Sequence, residues 1–187
     1  MDLPWGDERS VQFVTNVGLI TSNGPYGYNI SSDEWTHHIS YSPGLIAVCI
    51  NHGDATNVNI SKTKEFGVNL AAFDQNVLAS IAGGGHGQEI DKIVALKELG
   101  FKFFRAKKID VLMVEGASLN IECKVIKKLE IGDHTIFIGE VVQLYPPNKQ
   151  PLVYHGRKYW TLGEAIRKPA EKELKRINDI VEKNRKK

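Results

Sequence analysis

The stretches EGASLNIECKVIKKLE (Glu115–Glu130) and DHTIFIGEVVQLYP (Asp133–Pro146) meet at Ile131-Gly132-Asp133. Both are long and β-rich, and the glycine between them permits the positive φ of a tight turn. They read as two antiparallel strands, the clearest hairpin in the chain. Upstream, Leu45–Asn51 (LIAVCIN) is an apolar run between Pro43-Gly44 and His52-Gly53, the pattern of a buried strand. Val11–Thr21 and Phe66–Ala71 read as further strands. Tyr26–His38 reads as a strand too polar to bury both faces, entered through a turn at Ser22-Asn23-Gly24-Pro25. Downstream, Leu152–Tyr154 and Lys158–Thr161 are short strands around His155-Gly156.

Three helices interrupt the strands. Asp54–Lys64 has Asp54 as its N-cap candidate, Asp74–Ala82 closes on the glycines at 83, 84 and 85, and Ile90–Leu99 closes on Gly100. Strands and helices do not alternate regularly. That excludes a doubly wound parallel sheet and favours an antiparallel barrel with inserted helices. Residues 1–168 form one domain on this reading. Residues 169–187 form a charged amphipathic helix with Leu174, Ile177, Ile180 and Val181 on one stripe.

Composition sets outer bounds. The chain has 187 residues, 42% hydrophobic and 25% charged, enough for a core without staples. A net charge of +2 argues for neither nucleic acid nor a membrane surface, and acidic residues dilute the lysines of the last helix. Cys49 and Cys123 lie in apolar runs and read as buried free thiols, although sequence leaves a disulfide open. Met1–Asp7 lacks a leader pattern, and no apolar run approaches the roughly 18 residues of a membrane span, so the expected location is cytoplasmic.

Three segments can carry chemistry. The strand-to-helix passage Ile50–Asn59 ends in a helix N-terminus, whose free N–H groups and partial positive charge suit a phosphate. Thr56, Asn57 and Asn59 add uncharged donors, but Asp54 adds a negative charge, and a capped surface helix would look the same. Gly83-Gly84-Gly85-His86-Gly87 lets backbone approach a ligand, yet lacks the P-loop and dinucleotide patterns and equally describes a flexible loop. The polar strand Asn29–His38 can read the edge of a planar heterocycle, with Trp35 near its face; a solvated edge strand is the alternative. The six histidines show no zinc spacing, and no GxSxG nucleophile motif is present.

Taken in order, these pieces resemble the flavin reductase-like family, whose fold is the FMN-binding antiparallel Greek-key split β-barrel. The resemblance covers roughly residues 10–163 and rests on NISSDEWTHHISYSPGL (Asn29–Leu45), DATNVNISKTKEFGVN (Asp54–Asn69), GGGHGQEIDKI (Gly83–Ile93), DHTIFIGEV (Asp133–Val141) and PLVYHGRKYWTLG (Pro151–Gly163). Within the family the segments resemble flavoredoxins and archaeal ferric reductases. The resemblance implies that FMN is the cofactor. Ala55, Thr56 and Asn59 would hold its phosphate and ribityl chain. Ser31, Ser32, Trp35 and Thr36 would line its ring, with Asn51 or His52, and Asn29 would also bind the cofactor. His86 would approach from the glycine loop and His155 would sit near the flavin or second substrate, while His134 would fix the hairpin. Two departures stand out: Asp54-Ala55 where relatives carry a basic residue before the Thr, and His86 where they often have Ser or Thr.

The implied activity is an NAD(P)H-dependent flavin or ferric reductase, a homodimer passing electrons through FMN to a small-molecule or protein acceptor. An FMN electron carrier without its own nicotinamide site is the alternative, and a barrel that has lost its flavin is a third. The stripe of the last helix would serve the dimer or fold back on the barrel.

Overall fold

This computed structural model describes residues 1–167 and 169–185. After a 3₁₀ turn at Ser10–Gln12 the chain forms β1 (Thr15–Asn16), β2 (Gly18–Ser22), β3 (Asn29–Asp33), β4 (Thr36–Ser40), β5 (Leu45–Asn51), α1 (Ala55–Thr63) and β6 (Glu65–Leu70). Next come α2 (Asn76–Gly83), α3 (Lys92–Glu98), β7 (Phe103–Arg105), β8 (Leu112–Val114), β9 (Leu119–Ile131) and β10 (His134–Leu144). β11 (Val153–His155), β12 (Lys158–Trp160) and α4 (Glu171–Lys183) complete it. Residues 168, 186 and 187, at the expected domain boundary and the end of the expected last helix, lie outside the described residues.

The β9–β10 hairpin is the centre of the molecule. Gly132 takes φ 58° at its turn, and β10 pairs with β9 on one side and β5 on the other. The main sheet runs β3-β2-β6-β9-β10-β5-β4, every neighbour antiparallel. Its two edges are strands that follow one another in the chain. Only Glu34 and Trp35 separate them, so the sheet curls until its edges meet at that corner, a split barrel. β1, β11 and β12 form a second small sheet, and β7 and β8 a third.

Successive residues on a strand point to opposite faces, and two large cores result, with a smaller buried cluster of Ile109, Val111 and Met113 beside them. Ile20, Val48, Phe66, Val68, Cys123 and Phe137 fill the barrel. Leu19, Ile30, Leu78, Leu96 and Val114 pack outside it, under α2 and α3. Both cysteines are free thiols; Cys123 is buried and Cys49 half-buried.

Several expectations need correction. The run Val11–Thr21 is broken into the 3₁₀ turn, β1 and β2, with β1 leaving to pair β11. Tyr26–His38 is two strands on opposite edges, because the Asp33 carboxylate accepts the Trp35 N–H (3.1 Å) and turns the chain. Asp74 does not open α2. Gln75 occupies the N-cap, and Asp74 pairs with Lys149. Asp91 caps α3 through the Val94 N–H (3.0 Å), two residues later than expected. Asp54 takes the N-cap place of α1 with extended backbone, but its carboxylate makes no capping bond. The β7–β8 hairpin was not expected at all. The α4 stripe does not fold back: Leu174, Ile177, Ile180 and Val181 are all exposed.

Candidate functional site

A cavity of about 670 Å³ lies at the barrel seam, between the β3–β4 corner, the end of β5, the start of α1 and the β9–β10 turn. Ser31, Ser32 and Asp33 supply one wall, Cys49 and Asn51 another, with Trp35 and His134 beside them. A second cavity of about 430 Å³ adjoins it and shares Ser32, Glu34, Tyr154 and Arg157.

The polar strand, the helix start and the glycine loop do converge here, but their polar groups largely satisfy one another. The Asn29 amide donates to Thr56 Oγ1 (2.8 Å), which donates to Ser31 Oγ (3.1 Å). Asn29 and Thr56 are buried, whereas Ser31 reaches the cavity. Since Ser31 accepts from Thr56, its own proton is left to point at a ligand acceptor. Gly87 seals this junction: a Cβ there would lie 2.4 Å from Asn29 Oδ1 and 3.0 Å from the Ala55 Cβ.

The remaining expected residues divide clearly. Ser32, Trp35 and Asn51 line the larger cavity with Ser31. Asn51 also turns the chain by accepting the Gly53 N–H (2.9 Å). Asn59 is fully buried; its amide donates to Ser22 Oγ and to the Gly27 carbonyl and accepts from the Tyr26 N–H, so it pins α1 to the β2–β3 turn instead of meeting the cavity. Thr36 is buried at the corner, donating to Asp33. Ala55 is buried, while His52 and His86 are exposed; none of the three lines either cavity. His155 lies on β11 between cavity residues Tyr154 and Gly156, and its buried Nδ1 has no hydrogen-bond partner among the described residues.

Other lining groups were not expected. His134 sits at the hairpin turn, its Nδ1 2.6 Å from Asp133 Oδ1, and its ring stands 4.8 Å from that of Trp35 on the cavity wall. The His134 contact holds the Asp133 carboxyl below its ordinary range. Residues Leu3–Gly6 form a strap across the mouth. Trp5 donates to Glu34 Oε1 (3.3 Å), and the Arg157 guanidinium lies 4.9 Å from its ring. Arg157 holds φ at 60°, makes no ion pair among the described residues and lines both cavities. No local pattern announces these contacts, which join segments far apart in sequence. Asp33 was the exception: an acid two residues before a tryptophan in an already polar strand.

Chemically, the site offers hydroxyl donors from Ser31 and Ser32, aromatic walls, one guanidinium and four carboxylates, at Asp33, Glu34, Asp54 and Asp133. No group of three or more metal-ligating side chains occurs among the described residues, and none of the described helices is long and apolar enough to cross a membrane.

Comparison with known proteins agrees with this architecture. The family described as "Flavin reductase like domain" matches residues 10–163. An uncharacterized protein of Archaeoglobus fulgidus is 30% identical over 116 residues, 62% of this chain and 64% of that one. The NADH-dependent flavin reductase of a Rhodococcus species is 29% identical over 125 residues, 66% of this chain and 64% of that protein. The chain thus spans just under two thirds of the length of both. Among solved structures, flavin reductase PheA2 superposes with TM-score 0.73 at 26% identity, covering 88% of this chain and 100% of that one. An FMN-binding protein from Thermus thermophilus superposes with TM-score 0.77 at 22% identity, covering 90% and 96%.

Proposed function

This chain belongs to the flavin reductase like domain family, and on that premise we propose that it is a cytoplasmic NAD(P)H-dependent oxidoreductase that passes electrons through FMN to a flavin, ferric or other small acceptor. The observation that carries this reading is the seam cavity. Its size falls within the ~300–1,000 Å³ of small-molecule sites, and it combines aromatic walls with a few placed hydroxyls. These residues fit a flavin ring. Ser31 and Ser32 present donors suited to the ring's carbonyl and nitrogen edge, and Trp35 and His134 present flat faces. When bound, FMN supplies the hydride and electron chemistry.

The protein's part is to bind, orient and exclude water. The Asn29–Thr56–Ser31 chain fixes the direction of the Ser31 proton. The strap Leu3–Gly6 covers the mouth, and Trp5 is anchored to both Glu34 and Arg157. With Asp54 at the start of α1, the positive charge for a ligand phosphate comes from Arg157. The adjoining cavity gives a nicotinamide a place beside the ring, which favours a reductase over a carrier lacking a nicotinamide site. We place the subunit in a homodimer, because β4 is an edge strand that exposes Ile39, with Tyr41 exposed just beyond its end.

The test is an absorption spectrum after loading with FMN and removing the excess, followed by anaerobic NADH and then NADPH. Retained flavin absorbance that bleaches with nicotinamide is the expected result. Bleaching only with dithionite would make the protein an electron carrier. No retained flavin would overturn FMN as a resident cofactor.

A further inference from the structure

Asp33 carries a carboxyl that the reading above leaves without a task. It ends β3 where the barrel splits and sits in the wall of the larger cavity. Its orientation is fixed, since Oδ1 accepts the Trp35 N–H (3.1 Å) and Oδ2 accepts the Thr36 hydroxyl (3.3 Å). No cation forms an ion pair with it among the described residues.

The groups facing it decide its charge. Cys49 approaches from β5, its thiol pushed up by burial and by Asp33 itself. His134 approaches from β10, but Asp133 already holds that ring. Glu34 and Asp54 add negative charge to the same wall, and Arg157 lies across the mouth beside Trp5. The phenol of Tyr154 is raised, first by burial, and stays neutral. Burial outweighs the hydrogen bonds and pushes the Asp33 carboxyl up to about 7. Both of its forms are therefore present near neutrality.

We propose that Asp33 meets the ring of a flavin bound in this cavity, takes up one proton from solvent as the ring covers it, and donates the resulting O–H to a ring acceptor. The inference rests on the flavin reading. A ring laid over the carboxylate removes its remaining water, which penalises the charged form. The ring's carbonyl and nitrogen acceptors reward a donor and repel a carboxylate. Proton uptake and binding thus favour each other.

Riboflavin is the probe, because it lacks the phosphate that would itself titrate. Calorimetric titration in buffers of different ionisation heat, from about pH 6 to about pH 8.5, reads the protons taken up per ring bound. The expected uptake approaches one above the midpoint, with affinity falling by up to about tenfold per pH unit there. In Asp33→Asn the amide oxygen still accepts the Trp35 N–H while the NH₂ group replaces the acid proton. Uptake should then vanish and affinity should no longer vary with pH. Riboflavin binding to the unaltered protein without uptake overturns the proposal whether or not the variant folds. Uptake that persists in the variant overturns it too, since the proton then belongs to another group such as His134. Failure of riboflavin and FMN to bind at any pH removes the flavin reading and this proposal together.

Discussion

An aspartate set into a cavity wall exchanges water for a few fixed donors, and at Asp33 the exchange is unfavourable to the charge. An unfolded aspartate titrates at about 3.9, whereas the folded carboxyl is raised to about 7. Between those values the folded chain holds a proton that the unfolded chain has released. Raising the pH across that window therefore destabilises the fold, and the loss is complete above about 7. Below about 4 both states are protonated and the effect disappears. Asp33→Asn has no charge to bury. Its melting temperature relative to the unaltered protein should climb from about pH 4 to about pH 7 and then level off. Melts of the ligand-free proteins across that range check this, and a difference that stays constant would show that the charge of Asp33 costs nothing. Asn59 teaches the complementary point. Its residue type suited a phosphate as well as a turn, and only the position of the β2–β3 turn against α1 decided that its amide is spent internally.

At the scale of elements, β9 shows how one strand serves two environments. From Asn120 to Cys123 both of its faces are buried, one by the barrel core and the other by the loop joining β7 to β8. Glu122 faces that loop. Its carboxylate accepts the N–H groups of Lys107 (2.8 Å) and Lys108 (2.7 Å) and the Tyr145 hydroxyl. Burial and the neighbouring Glu122 raise the Tyr145 phenol to about 12, so it remains a donor. Glu122→Ala strands these donors. At about 1–3 kcal/mol per buried unsatisfied group, a stability loss of about 3 kcal/mol or more is expected. Glu122→Gln keeps one acceptor oxygen and should lose about half as much. Urea unfolding midpoints measure both, and equal stability of all three proteins would mean the loop is not held by this carboxylate. The β9–β10 hairpin itself was evident from residue pattern, because turn chemistry and β-propensity act locally. The β7–β8 pair was not. Its strands have three residues each, and the loop joining them is bonded to a buried glutamate distant in sequence.

At the scale of the whole molecule, the barrel and α4 have different physical standing. The antiparallel barrel followed from local patterning, and so did the presence of a charged last helix. The meeting of sheet edges at Glu34 and Trp35, and the strap across the seam, depend on closure of the entire sheet, which no local window contains. The two cores draw on residues from Val17 to Leu152, and none of α4 contributes. Its apolar stripe is exposed along its length. We therefore propose that residues 1–168 fold as a unit independent of the helix. Surface groups without buried partners change stability by no more than about 0.5 kcal/mol. For a domain of this size that is about 1–2 °C in melting temperature. A chain ending at Arg167 should accordingly melt within about 2 °C of the full chain. A melting point lower by about 5 °C or more would correspond to more than 1 kcal/mol of lost packing. That outcome would mean the stripe is covered in solution, by the barrel or by a second subunit, and that the helix belongs to the folded unit.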